Sequence, residues 1–327
     1  MKTVLVTGGA GYIGSHACKA LRDAGMIPVT YDDLSTGWAD AVKFGPLEVG
    51  DITDTKRLDA IFKTYAPDAV MHFAACSDIA ESVRDPGKYW HNIPGGTQAV
   101  AEAALKAGCT KFVLSSTCSV YGDQDGVILK ETSTIAPNNA YGEAKRAAEE
   151  FLEGRAAAEG MRSVILRYFN VAGADEDAEV GEWHRPETHL VPIILDVAEG
   201  RRDAVRIYGT DYATPDGSCV RDYVHVTDIA DAHMQGLDWL KANGGVRTFN
   251  LGTGTGFSVR SVIAEAEAIT RKEIPVLEDA RRPGDAASLV SGGDRARQEL
   301  GWSPDRSTLP RMIKDAWRWH QTGDYAK

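Results

Sequence analysis

The chain has 327 residues, 43% hydrophobic and 25% charged, roughly two domains' worth at about 150 residues per domain. That length excludes a peptide or a disulfide-stapled miniprotein, and the composition excludes a disordered chain. Thirty-six basic against 47 acidic side chains leave a net charge of −11, a field that repels the phosphate backbone, so no nucleic-acid partner is expected.

No stretch approaches the roughly 18 apolar residues of a membrane span, and a strand-like run begins within three residues of Met1, so we expect no membrane partner and a cytoplasmic protein. Cys18, Cys76, Cys109, Cys118 and Cys219 are odd in number and form no C-x-x-C pair. They read as reduced, packed thiols rather than a disulfide framework or zinc cluster.

Thr3 to Thr7 is short, β-branched and ends at glycine, which predicts a strand buried on both faces of a parallel sheet. Ile13, Ala17, Leu21 and Ala24 then fall at helical spacing, with Gly25 placed to end the helix. Ile27 to Tyr31, Ala69 to Phe73, Lys111 to Ser115 and Ser163 to Leu166 are further buried strands, and helices are predicted near 54–63, 86–106 and 139–158. This alternation predicts an α/β fold with a Rossmann-type doubly wound parallel sheet. The pattern loosens after about residue 170, so we expect a nucleotide-binding domain over 1–170 and a smaller substrate domain over 171–327. Segments near 221–251, including Tyr223 to Val226 and Thr248 to Leu251, are expected to return to the first sheet. The stripe from Leu309 through Met312, Ile313, Ala316, Trp317 and His320 predicts a core-facing terminal helix.

Between the first strand and helix, Gly8, Gly11 and Gly14 stand three apart. A dinucleotide site needs one glycine for the turn, one for close approach to a pyrophosphate and one for helix packing, with the helix N-terminus facing the anion. The strand before, the helix after, and Asp32 and Asp33 ending the second strand strengthen the motif. The Asp32 carboxylate suits ribose hydroxyls and would repel a 2′-phosphate, which favours NAD over NADP. Asp51 either reaches the adenine edge or serves as a turn or cap aspartate; both readings stand.

Tyr141 and Lys145 lie four apart on a predicted helix, and Ser115-Ser116-Thr117 follows a predicted strand. An ammonium beside a phenol is expected to lower the phenol's pKa toward that of a working base. With the glycine loop, these residues resemble the extended branch of the short-chain dehydrogenase/reductase superfamily. The resemblance implies that Thr117 orients the substrate hydroxyl, Tyr141 exchanges its proton, and Lys145 tunes Tyr141 and holds the nicotinamide ribose.

Further stretches narrow the likeness: Tyr31-Asp32-Asp33-Leu34, Gly50-Asp51-Ile52, His72-Phe73-Ala74-Ala75, Tyr141-Gly142-Glu143-Ala144-Lys145, Arg167-Tyr168-Phe169-Asn170, Val220 to Val226 and Arg281-Arg282-Pro283-Gly284-Asp285. Over essentially the whole chain the sequence is similar to the UDP-glucose 4-epimerase family. That likeness implies reversible 4-epimerisation of UDP-glucose and UDP-galactose through a 4-keto intermediate on tightly bound NAD. It implies cofactor contacts at Tyr12, Ile13, Asp32, Asp33, Asp51, Ile52, Phe73, Ala74, Asn92, Ser115, Tyr141, Lys145 and Phe169. It implies substrate contacts at Thr117, Tyr141, Asn170, Leu190, Arg206, Tyr208, Arg221, Arg282 and Asp285, and it implies a homodimer through the helices near 86–106 and 139–158. Arg221 and Arg282 suit the diphosphate, since guanidinium forks match phosphate oxygens.

Two positions depart from the family pattern: Ser77 stands where some members have lysine, and Leu289 is intermediate in bulk at the position that varies beside the sugar. Leu289 keeps an epimerase of UDP-GlcNAc and UDP-GalNAc as an alternative, an epimerase of UDP-arabinose and UDP-xylose is kept because the same chemistry serves a sugar lacking C6, and a non-catalytic dinucleotide sensor is a remote one. Sugar-nucleotide dehydratases and decarboxylases carry carboxylates just after the threonine, whereas Cys118-Ser119-Val120-Tyr121 stands here. His184 and His189 near Glu182 and Glu187 offer metal donors, but their spacing alone closes no ligand set, and no metal is expected.

Overall fold

The β-branched run at the start of the chain forms β1 (Thr3–Thr7), and the glycine loop turns it into α1 (Tyr12–Asp23). In the computed structural model, residues 2–124, 126–282, 285–323 and 325 are described, so Pro283 and Gly284 of the Arg281 to Asp285 stretch lie outside the described residues. Next come β2 (Ile27–Asp32), β3 (Leu47–Val49), α2 (Thr55–Tyr65) and β4 (Ala69–His72). The helix expected over 86–106 is broken. α3 (Ile79–Arg84) and α4 (Pro86–Trp90) run into a widened turn, His91–Gly95, and then α5 (Gly96–Lys106). Pro94 lies inside that turn, and having no N–H it cannot make the ordinary helical bond.

β5 (Lys111–Thr117) extends past Ser115 to include Thr117, and β6 (Ile128–Leu129), α6 (Ala140–Glu159) and β7 (Arg162–Tyr168) follow. Beyond them lie β8 (Asn170–Ala172), α7 (Leu190–Ala198), β9 (Val205–Tyr208), β10 (Val220–His225), α8 (Val226–Ala242), β11 (Val246–Leu251), β12 (Gly256–Ser258), α9 (Val259–Thr270), β13 (Val276–Asp279), β14 (Ser288–Ser291) and α10 (Leu309–Thr322).

The main sheet has the order β11-β7-β5-β4-β1-β2-β3, and all its pairings are parallel. Its order reverses across β1, so loops from opposite hands of the winding leave a crevice at the carboxyl ends of the strands. One apolar core fills one face, from Leu5, Tyr31 and Phe112 to Ala144 and Leu152 of α6; α1 and α8 cover the other. β11 returns to this sheet beside β7, but β10 does not. β10 pairs instead with β8, β12 and β14 in a separate small sheet. A third core, with Leu195, Ile207, Val262 and Met312, joins α7, β9, α9 and α10. Among the described residues no helix is long and apolar enough to cross a membrane.

Candidate active site

Gly8 has φ +72°, and a Cβ there would lie 2.5 Å from the Ala74 nitrogen. Only glycine lets the loop pass so close to the end of β4. The loop ends at an N-terminus of α1 that has neither a side-chain cap nor an acidic residue in its first turn. Gly11 is the N-cap, and the amides of Tyr12, Ile13 and Gly14 open the helix. A helix whose first donors lack side-chain caps fits a pyrophosphate, which brings its own acceptors and negative charge.

Asp32 is buried and its carboxylate accepts from Ala10 N at 3.0 Å and Leu34 N at 2.9 Å. Burial raises its pKa, and these two N–H bonds partly offset that. Asp33 accepts from Ser35 N at 2.9 Å, capping the turn beyond β2. Asp51 accepts from Thr53 N and Thr53 Oγ1, each at 2.8 Å, so it makes a turn, while the cap of α2 is Asp54. Ile52 is buried against Gly96. Across the crevice Asn92 Oδ1 accepts from Cys76 N at 2.8 Å, which ties the widened turn to the strand-end loop carrying Phe73 and Ala74.

β5, an interior strand, carries Ser115 and Thr117 to the carboxyl end of the sheet, and α6 brings Tyr141 and Lys145 across them. Asn139 caps α6, accepting from Gly142 N at 2.9 Å, which fixes where Tyr141 starts the helix. The Thr117 hydroxyl, which donates to Ser119 Oγ at 3.1 Å, lies near enough to the Tyr141 phenol to favour its ionised form. Lys145 Nζ donates to the Ser115 carbonyl at 2.8 Å and lies 5.9 Å from the Tyr141 ring centre.

This geometry corrects one expectation. Burial pushes the Tyr141 phenol up to about 12, which the neighbouring Thr117 side chain only partly offsets. The ammonium does not offset that burial: Lys145 Nζ turns one N–H to the Ser115 carbonyl, and burial has drawn Lys145 itself down to about 8, against the opposing pull of Glu149. Protein residues alone hold this tyrosine as a neutral donor.

Phe169 is buried with Cys118, Val120, Tyr121 and Leu129, and Leu289 packs against that cluster. Asn170 begins β8 opposite Tyr223. Arg221 pairs in register with Leu289, donates Nη1 to the carbonyls of Val220 and Ala286 at 2.9 Å each, and lies 3.8 Å from Asp285 Oδ1. Its charge is felt at Cys118, next to Thr117. The Arg282 guanidinium sits 3.7 Å over the Tyr208 ring. Arg206, on the same face of β9 as Tyr208, is held at an exposed position by Asp279 at 2.7 Å. Leu190 starts α7 and packs on the third core rather than against Tyr141.

The reading of the sequence missed the support beneath this site. Glu149 lies one turn beyond Lys145 on α6 and is fully buried. It accepts from Ser116 Oγ at 2.6 Å and from Arg167 Nε and Nη2 at 2.8 and 2.6 Å. Arg167 Nη1 donates to the Tyr121 hydroxyl at 2.9 Å, which donates in turn to Asn250 Oδ1 at 2.6 Å. The signal was the i+4 spacing of Tyr141, Lys145 and Glu149, which continues one helix face from the crevice into the core.

The model of the NAD dependent epimerase/dehydratase family matches residues 4–252. A UDP-glucose 4-epimerase of Rhizobium meliloti (strain 1021) is 47% identical over 317 residues, 97% of this chain and 96% of that one. The crystal structure of UDP-glucose 4-epimerase from Brucella ovis in complex with NAD is 44% identical, with a TM-score of 0.95 and 99% of each chain covered. That of the Stenotrophomonas maltophila enzyme with bound NAD and formylated UDP-arabinopyranose is 38% identical, with a TM-score of 0.94 and 98% of each covered. The chain belongs to the NAD dependent epimerase/dehydratase family and, within it, to the UDP-glucose 4-epimerases.

Proposed function

We propose that the protein interconverts UDP-glucose and UDP-galactose by 4-epimerisation, with NAD held as a resident cofactor. The juxtaposition of Thr117 and Tyr141, backed by Lys145 and set beside the open N-terminus of α1, carries this reading. Bound NAD supplies a reversible acceptor for the hydrogen on C4. The amides of Tyr12, Ile13 and Gly14 hold its pyrophosphate, with Gly8 and Gly11 giving the close approach. Asp32 and Asp33 take the adenosine ribose, and Asp51 and Ile52 bound the adenine. Phe73, Ala74, Asn92, Ser115, Lys145 and Phe169 bound the nicotinamide side.

Thr117 orients the sugar 4-hydroxyl toward Tyr141. Tyr141 accepts that proton, holds it while the 4-keto sugar presents its other face, and returns it to the same oxygen. Lys145, anchored on Ser115, places positive charge behind the phenol as it gives and takes the proton. Arg221 and Arg282 grip the diphosphate, Tyr208 flanks the uracil, and Asp285 accepts from the uridine ribose. Asn170, Leu190, Arg206 and Leu289 complete the sugar side, which we assign to 171–327 with the cofactor side over 1–170.

The protein works in the cytoplasm as a homodimer in this reading. Trp90, on α4, is 46% exposed, and Ile79 and Val83 beside it on α3 are 47% and 67% exposed, an apolar patch of the kind a partner surface covers. A monomer mass by light scattering overturns the dimer.

The function is tested by incubating the purified protein with UDP-galactose and no added NAD, and following UDP-glucose by chromatography. A stable mixture of both sugars is expected. No conversion even with NAD supplied overturns the reading, and UDP-GlcNAc, UDP-xylose and UDP-arabinose run alongside rank the alternatives.

A further inference from the structure

A second constellation of donor side chains lies away from Tyr141, in the segment 182–189 between β8 and α7. Its spacing is E-x-H-x-x-E-x-H, and the fold turns one donor atom from each of Glu182, His184, Glu187 and His189 to a common point, all within 4.8 Å of one another. His184 Nδ1 lies 3.5 Å from Glu182 Oε1 and 3.5 Å from Glu187 Oε2. His189 Nδ1 lies 2.8 Å from Glu182 Oε1 and 3.4 Å from Glu187 Oε1. Ligand atoms about 2.1 Å from a tetrahedral zinc stand about 3.4 Å apart, close to the separations of His184 Nδ1 from Glu182 Oε1 and from Glu187 Oε2.

An independent observation points the same way. His184 Nδ1 is shielded from solvent and has no hydrogen-bond partner among the described residues, although it faces two carboxylates. A shared proton draws such atoms to about 2.9 Å, whereas a shared cation leaves them farther apart. The Glu182 and Glu187 side chains are only 7% and 9% exposed, and two carboxylates so buried need a cation. They lie near Tyr12, whose phenol is raised well above its usual range by burial and then by Glu182 and Glu187.

The backbone of the segment is already fixed. Trp319 Nε1 donates to the Glu182 carbonyl at 2.9 Å and Trp38 Nε1 to the Trp183 carbonyl at 2.8 Å. Thr188 N and His189 N donate to Glu187 Oε1 at 2.8 and 2.9 Å, which orients its other oxygen toward His184. Such outer partners are what hold metal ligands in place.

We propose that Glu182, His184, Glu187 and His189 bind one divalent transition-metal ion, of which zinc best suits a closed set of two imidazoles and two carboxylates. Four protein ligands leave no open position, so the ion is structural. It clamps the segment and the start of α7 against Tyr12, whose hydroxyl donates to the Gly173 carbonyl at 2.6 Å. Sequence spacing alone left this set open because the closure depends on how the segment turns. The rival is a metal-free cluster in which His189 stays protonated: burial opposes its charge, but Glu182 and Glu187 override that and hold it up near 10.

The test uses the untagged full chain, stripped with EDTA and titrated with Co²⁺ and Zn²⁺. The expected result is one Co²⁺ per chain, with the strong visible absorption of a tetrahedral N/O site, no thiolate charge-transfer band, and displacement by Zn²⁺. His184→Asn is expected to weaken binding by about 100-fold or more, and Zn²⁺ to raise the melting temperature of the wild type but not of the variant. Lack of a stoichiometric tetrahedral spectrum, equal melting in Zn²⁺ and EDTA, or full binding by His184→Asn overturns the proposal. If His184→Asn fails to fold, the wild-type spectrum and stoichiometry decide alone.

Discussion

Arg167 and Glu149 form a two-pronged ion pair, Nε to Oε1 at 2.8 Å and Nη2 to Oε2 at 2.6 Å, with side chains 4% and 0% exposed. The pair joins β7 to α6 directly beneath Lys145. Burying two charges has a high desolvation cost that mutual attraction and extra hydrogen bonds offset, so removing one partner strands the other. Glu149→Ala is therefore expected to destabilise the fold by about 3–5 kcal/mol, read from urea denaturation. A loss under about 1 kcal/mol would show that water or another anion replaces the carboxylate.

Removing only the Tyr141 hydroxyl separates proton transfer from packing. Tyr141→Phe keeps the ring, so thermal stability should stay near that of the wild type while turnover falls by about 10²- to 10⁴-fold, the usual contribution of a positioned general base. Turnover within threefold of wild type would assign the base elsewhere. Because burial pushes the phenol up to about 12, Lys145 alone does not make it a base, and further positive charge must come from the assembled complex.

The glycine spacing, the Tyr141 to Lys145 step and the strand ends were legible because each rests on local geometry: a turn, a helix face, a run of β-branched residues. Pro94 was visible too, yet the widened turn it occupies depends on how α4 and α5 pack, which spacing does not report. The ion pair of Glu149 with Arg167 was illegible for a related reason, since it joins residues 18 apart that meet only when β7 and α6 cross. That β11 (VRTFNL) returns to the main sheet and β10 (VRDYVH) does not was likewise illegible, since both read as strands and pairing depends on the tertiary fold.

Gly8 and Gly25 allow the cost of backbone conformation to be separated from that of close approach. Both have φ +72°, but a Cβ at Gly8 meets the Ala74 nitrogen at 2.5 Å, whereas at Gly25 nothing lies within 4 Å. Gly25→Ala should cost only the left-handed penalty of about 1–2 kcal/mol. Gly8→Ala should cost more, and should also reduce the NAD released per chain on denaturation, because the loop must move from β4. Equal melting temperatures for the two variants would remove the close-approach argument.

Three buried histidines set the acid side of the stability curve. Burial draws His16 to about 4, His72 to about 3 and His233 to about 4. As pH falls below about 6.5 the unfolded chain takes up protons at these positions that the native chain refuses. Stability should therefore fall progressively from about pH 6.5 toward pH 4, by on the order of 8 kcal/mol in total. Urea midpoints at pH 7 and 4.5 measure this, and equal midpoints would mean that these rings ionise without unfolding.

Arg282 offers the last discrimination, because the proposed function sets it on the part of the substrate that does not react. Its guanidinium lies 3.7 Å over the Tyr208 ring, a stacking that pre-orients it for a diphosphate while leaving its N–H donors outward. An interaction made equally in ground and transition states changes KM and leaves kcat alone. One charged hydrogen-bonding contact is worth about 1.5–3 kcal/mol, so Arg282→Ala should raise KM by roughly 10- to 150-fold with kcat within a few-fold. Competitive inhibition by UDP should weaken in parallel, because UDP keeps the diphosphate and lacks the sugar. A fall in kcat at constant KM would place Arg282 at the reacting carbon's charge instead, whereas weakened turnover with unchanged UDP inhibition would place it on the sugar.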